Sequence, residues 1–161
     1  MVSIEDLKKI SVLDNLTQPM LENIRPLAQL NIFGERHVIY EEGQKADYFY
    51  MLLKGKVILE VEASEVIMIS LEAIKPGYSF GWSALLPGSK CNAYAICVEP
   101  CEVMAVPGGK FLELLDKDHT IGYKFMKRVA SILKRREERR TEQFLQVMSK
   151  HPDIQKLMGL S

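Results

Sequence analysis

The residues best placed to do chemistry lie in one stretch, Phe80-Gly81-Trp82-Ser83-Ala84-Leu85-Leu86, with Lys90-Cys91-Asn92-Ala93 shortly after it. A glycine leads straight into a short run of good helix formers, and a β-type run from Asn92 to Val98 follows. A single helical turn entered through glycine and set between strands is an anion pocket in outline. Its first N–H groups lack intrahelical partners, and the positive end of its dipole faces the ligand. Other reactive residue types are scattered. His37, His119 and His151 share neither helical nor alternating spacing, which leaves metal ligation and acid–base catalysis with little support. Cys91, Cys97 and Cys101 are odd in number, cluster in two expected strands and form no C-x-x-C pair. They read as small buried hydrophobes, not as a disulfide framework or a zinc or iron–sulfur site.

Charge is balanced overall but unevenly placed. Residues 1–116 carry ten Lys/Arg against sixteen Asp/Glu, a net of −6, and residues 117–150 carry ten against four, a net of +6. A basic C-terminal helix on an acidic body could meet a polyanion, its own counterpart in a dimer, or only solvent. A chain of 161 residues, 47% apolar and 26% charged, is one ordinary globular domain. No apolar run approaches the ~18 residues that would span a bilayer, and no signal peptide opens the chain. No membrane association and a cytoplasmic location are therefore expected.

These residues must be positioned by a mainly β body with helices at both ends. Ser3 and Asp6 form a capping-box pattern ahead of Ile4, Leu7 and Ile10, and a second helix begins at Thr17 with Pro19 in its first turn. From Gln29 the apolar period drops to two. Runs at Leu30–Phe33, His37–Tyr40, Tyr48–Leu53, Val57–Val61, Val66–Leu71, Asn92–Val98 and Glu102–Val106 alternate with turn signals, as in an antiparallel sandwich or barrel. After Pro107-Gly108-Gly109 the period is helical again, with Phe111, Leu112 and Leu115 in a short helix and a long one from about Thr120 to Ser149. Ile121, Phe125, Val129 and Ile132 form a stripe along the long helix, ahead of the charged run Lys134–Arg140. Phe144, Leu145, Val147 and Met148 then resume an apolar face, and Pro152 ends the helix.

In order and spacing, Gly34, Val38-Ile39, Glu42-Gly43, Ala46-Asp47, Tyr50, Gly55-Lys56-Val57, Pro76-Gly77, Phe80-Gly81 and Ala84-Leu85-Leu86 resemble the cyclic-nucleotide-binding domains of the catabolite activator protein and Fnr regulators. The resemblance covers roughly residues 5–145. It implies an antiparallel β-roll of the double-stranded β-helix or jelly-roll kind, with N-terminal helices and a long C-terminal helix. One domain would span 1–161: helices in 1–28, the roll in 29–107 with its phosphate-binding cassette at 77–95, helices in 108–150 and a tail at 151–161. The family's transcription factors append a helix-turn-helix. Only about ten residues follow Pro152, too few for one, so sequence-specific DNA binding is not expected.

The resemblance also assigns the site. Trp82 stands where the family's glutamate takes the ribose hydroxyl, and Cys91 where its arginine holds the cyclic phosphate. Asn92 and Ala93 stand near the small phosphate-binding residue, Tyr94 near the purine, and Gly81, Ser83 and Ala84 would supply backbone amides. Lys90 is one residue early but could substitute for the arginine, as a point charge without the planar fork. Trp82 and Tyr94 would either fill the cavity the nucleotide uses or line it for a less charged effector. Two functions follow. One is a non-enzymatic regulatory sensor that binds a small effector, a cyclic nucleotide (cAMP or cGMP, held weakly) or another anion, and signals through its C-terminal helix. The other is a ligand-incompetent module for dimerisation and protein interaction. Both imply a homodimer paired through the long helix and an unidentified regulatory partner. A cupin-like metalloenzyme would need a His/Glu cluster on neighbouring strands, which the sequence lacks.

Overall fold

The computed structural model describes residues 1–159. They fall into two compact units, Met1–Phe125 and a second that begins at Met126.

The first unit opens with α1 (Ile4–Lys8). Ser3 Oγ accepts from the Asp6 amide at 3.0 Å, and the Asp6 carboxylate accepts from the Ser3 amide at 3.2 Å, which completes the capping box. The Ser3 hydroxyl lowers the Asp6 carboxyl below its usual range. In α2 (Gln18–Ile24) the N-cap is Thr17 and Pro19 occupies the first turn. Pro26 then sits in a 3-10 turn, Arg25–Leu27, that closes the segment.

Eight strands follow among the described residues: β1 (Gln29–Phe33), β2 (Val38–Tyr40), β3 (Tyr48–Lys54), β4 (Val57–Ser64), β5 (Ile67–Ile74), β6 (Ser79–Phe80), β7 (Tyr94–Cys97) and β8 (Cys101–Pro107). They make two four-stranded antiparallel sheets, ordered β1-β8-β3-β6 and β2-β7-β4-β5. The seven expected strands are all present; β6, two residues long, is too short to show a period. The inner faces supply one apolar core that includes Tyr50, Leu52, Val57, Leu59, Ile74, Ala95, Cys97 and Val103. Alternation along β3 sends Tyr50 and Leu52 into this core, while Phe49 and Met51 are buried on the opposite face.

The glycine pair after Pro107 is not a free turn: Gly108 opens α3 (Gly108–Lys117). A Cβ there would lie 2.2 Å from the Ala84 carbonyl oxygen, so the first turn of α3 seats directly on the cassette. The long helix is α4 (His119–Ser149), which starts in the first unit and continues through the second. Its expected stripe needs correcting. Ile121 and Phe125 are fully buried, and the Phe125 ring meets Phe111 edge-on at 4.8 Å and Phe49 at 6.1 Å. Those two residues serve the chain's own core, so they cannot form a seam with another chain. The segment expected as a tail carries a further helix, α5 (Pro152–Leu157), with Pro152 in its first turn and His151 Nδ1 accepting from the Asp153 amide at 3.3 Å. Leu160 and Ser161 lie outside the described residues.

Gly108→Ala tests the seat of α3. Overpacking against a fixed carbonyl should cost about 1–3 kcal/mol in urea denaturation. Gly109→Ala, whose Cβ meets nothing within 4 Å, should shift stability by less than about 1 kcal/mol.

Candidate functional site

Phe80 ends β6, and Gly81 turns the chain at φ 77°, ψ 33° into a 3-10 turn, Trp82–Leu85. A side chain at 81 would meet Tyr50 Cδ2 at 2.9 Å and the Tyr48 carbonyl at 3.0 Å, so both conformation and space require glycine. The turn closes with Ala84 N donating to Gly81 O at 3.2 Å and Leu86 N to Ser83 O at 3.1 Å. The Ala84 amide is thereby committed to the turn itself. After Gly88 the chain runs antiparallel to the segment before β3. Ala46 N donates to Ser89 O (3.1 Å), Cys91 N to Gln44 O (2.8 Å) and Gly43 N to Cys91 O (2.7 Å), with Lys45 and Lys90 as bridge partners.

Alternation then separates the expected site residues. Cys91 and Ala93 are buried in the roll's core, whereas Lys90 and Asn92 are exposed. Ser83 is half-buried on the turn, and Ala84 is buried against Gly108. Around Cys91 the core is aromatic. The Tyr50 ring stacks on Phe80 at 5.2 Å and on Tyr40 at 5.8 Å, and Tyr40 lies 6.2 Å from Phe80. The nearby charge is a carboxylate. Burial first, and then Asp47, push the Cys91 thiol above its usual range. Burial, the Cys91 thiol, Tyr48 and Asp47 together push the Tyr50 hydroxyl up to about 12. Asp47 is paired at 3.6 Å with exposed Lys45. Both core groups are therefore neutral near pH 7, in a setting that disfavours an added anion.

Trp82 and Tyr94 do not belong to the core around Cys91. The Trp82 ring packs on Phe49 at 5.0 Å, on the face of β3 away from the roll's core, next to the parallel stack of Phe49 on Phe111 at 6.3 Å. Its Nε1 is buried without a hydrogen-bond partner. Tyr94 faces outward between the inward-pointing Ala93 and Ala95, and its hydroxyl donates to Glu62 Oε1 at 3.0 Å, which raises its pKa. Tyr40, Tyr50 and Phe80 pack in the core that holds Cys91, with Asp47 acting on its thiol, and sequence reasoning gave Tyr40, Tyr50 and Asp47 no site role. The signal was available in the alternation Tyr48-Phe49-Tyr50, which fixes which ring points inward once one neighbour is placed. No group of three or more His, Cys, Asp or Glu among the described residues is arranged to hold a metal.

The family model described as the cyclic nucleotide-binding domain matches residues 30–118, more than half of the chain. The chain belongs to that family. A structure from Geobacter metallireducens GS-15, assigned as a cyclic nucleotide-binding protein, is 26% identical, with a TM-score of 0.74 over 84% of this chain and 98% of that one. The Thermus thermophilus catabolite activator protein is 22% identical, with a TM-score of 0.72 over 86% of this chain and 63% of its own. The regulatory domain of Toxoplasma gondii PKA, solved with cAMP, is 19% identical, with a TM-score of 0.67 over 80% of this chain and 48% of that one. Among curated proteins, the cGMP-dependent protein kinase egl-4 of Caenorhabditis briggsae is 26% identical over 133 residues. This chain covers 18% of that kinase's length.

Cys91→Arg tests the electrostatics of the core around position 91. A guanidinium buried among Tyr40, Tyr50 and Phe80, offset only in part by Asp47, should destabilise the ligand-free protein by about 1–3 kcal/mol in thermal denaturation. Millimolar cAMP should recover part of that loss in the variant and leave the wild type almost unmoved.

Proposed function

We propose that the chain is a non-catalytic regulatory module in which a small effector occupies the cassette without a charged clamp. Cyclic nucleotides would reach the site only weakly, and occupancy would be passed to α4, the helix through which two copies pair. The observation that carries this reading is the burial of Cys91 in the roll's core with Tyr40, Tyr50 and Phe80, where the charge acting on its thiol is the Asp47 carboxylate; the resemblance puts the family's phosphate-binding arginine at this position. The ligand class comes from the family and from relatives such as the PKA regulatory domain solved with cAMP. Removing the cationic partner of a bound phosphate costs about 3–5 kcal/mol, roughly two to three and a half decades of affinity. Asp47 adds to that cost.

The pairing of α4 is supported by apolar residues it leaves exposed, including Met126, Leu133, Phe144 and Val147. Recognition of a DNA sequence is not part of the proposal, because Glu137, Glu138 and Glu142 interrupt the basic run. A further regulatory protein would read the signal. Three free, buried thiols suit a reducing cytoplasm, and no helix among the described residues is long and apolar enough to cross a membrane. The alternative, a module kept only for protein interaction, is favoured by the tight stack of Tyr50 on Phe80, which occupies core space beside Cys91.

A thermal-shift series with cAMP and cGMP separates these readings. A ligand at 100 times its dissociation constant stabilises the fold by about 2.7 kcal/mol. We expect a small, saturable shift that begins only at about millimolar nucleotide, some two to three and a half decades above a charge-clamped site. A full shift at micromolar nucleotide contradicts the proposal, and no shift at any concentration moves the interaction module ahead.

A further inference from the structure

Among the described residues the two sheets leave four edge strands, and three of them are short. β1 has five residues, β2 three and β6 two, whereas β5 has eight. Edge strands are ordinarily blunted by brevity, a charge or a proline. The run Val66-Ile67-Met68-Ile69-Ser70-Leu71, which leads into and along β5, has neither charge nor proline. Its five large apolar side chains are exposed: Val66 by 89%, Ile67 by 53%, Ile69 by 47%, Met68 by 44% and Leu71 by 37%. The strand is apolar on both faces. Ile69 pairs with Val61, which packs against the roll's core, and Met68 pairs with Glu62 on the opposite face. A strand apolar on both faces has the composition of one with a neighbour on each side.

Charge selects the occupant. Residues 57–74 contain Glu60, Glu62, Glu65 and Glu72 and no Lys or Arg. Glu60 Oε1 accepts from the Ser70 hydroxyl at 3.3 Å and Glu62 Oε1 from the Tyr94 hydroxyl at 3.0 Å, neutral donors that offset no charge. Glu42 joins them, its Oε2 accepting from the Glu62 amide at 3.2 Å. A second copy fits this edge poorly. Antiparallel pairing of two β5 strands that overlaps Val66–Leu71 in full sets Glu65 of each copy opposite Glu72 of the other, and like charges directly opposite are unfavourable. The same glutamates turn away an anionic membrane. A strand with Lys or Arg at its ends meets Glu65 and Glu72 instead, while its apolar residues continue the sheet.

We propose that β5 receives a further strand from a protein partner, an extended apolar segment flanked by Lys or Arg. Main-chain hydrogen bonds along the edge supply the affinity, and the glutamates select the flanks. This docking edge does not depend on what occupies the cassette, so its failure would leave the effector reading standing.

The test uses the full chain and a short synthetic peptide of alternating valine and threonine with lysines at both ends. A second peptide carries glutamates at the ends instead. Fluorescence anisotropy at low salt reads binding, and amide hydrogen exchange locates it. The lysine peptide should bind with a dissociation constant of about 10–100 µM and protect amides within Ile67–Leu71. The glutamate peptide should bind at least about tenfold more weakly. Met68→Lys, which puts a charge on the edge, should weaken the lysine peptide by about tenfold or more. Glu65→Lys lies at an exposed turn position outside the strand and should narrow the gap between the two peptides by about threefold or more. No protection of β5 at about millimolar lysine peptide, protection elsewhere instead, or equal binding of the two peptides overturns the proposal. So does β5 protection that grows with protein concentration in the absence of peptide, which assigns the edge to a second copy.

Discussion

Phe49 and Tyr50, adjacent on β3, send their rings to opposite sides of one sheet, and the cassette turn is held by the contacts each makes. On the outer side Phe49 gathers Trp82, Phe111 and Phe125, which ties the turn, α3 and the start of α4 to a single aromatic cluster. On the inner side Tyr50, Phe80 and Tyr40 form a three-ring cluster, and Tyr50 closes against Gly81. Aromatic pairs of this kind add about 0.5–1.5 kcal/mol each beyond the area they bury. The turn is therefore fixed from both sides whether or not a ligand is present.

That fixation explains how the fold can persist while the site changes character. Gly81, the close approach of Gly108 to Ala84 and the backbone pairing of Cys91 with Gln44 need no charged side chain. The groups that would neutralise a phosphate are side chains and can be exchanged without disturbing the frame. In this chain the inward position next to Ala93 is a neutral thiol, the position after Gly81 is an indole turned towards Phe49, and the nearby charge is the Asp47 carboxylate. A shared fold thus carries a site of different polarity, and the chemistry has to be read from the side chains.

Much of this was legible in the sequence because period and turn chemistry act locally. Seven strands announced themselves by alternation, and the capping box at Ser3 and Asp6 formed as its spacing implied. The inward direction of Cys91 also follows from alternation with Lys90 and Asn92. The direction of Trp82 does not, because a four-residue 3-10 turn has no period to orient it. The long helix was legible only in part. Its most regular apolar stripe, Ile121 and Phe125, packs on the chain's own core, while the exposed face is broken by Glu137 and Arg140 and looks merely charged. Pro152 was legible as a stop for α4, but a proline equally suits the first turn of a new helix, and α5 begins there.

The central claim is that the cassette turn is formed while its cation is missing, and an amide NMR titration of the wild-type protein with cAMP addresses it most directly. The amides of Gly81 and Ser83 should show dispersed, well-ordered resonances without ligand, and should move in fast exchange without saturating below about millimolar nucleotide. Slow exchange that is complete at equimolar cAMP would contradict the account, because affinity of that order calls for a charge clamp and the charge acting on Cys91 is the Asp47 carboxylate.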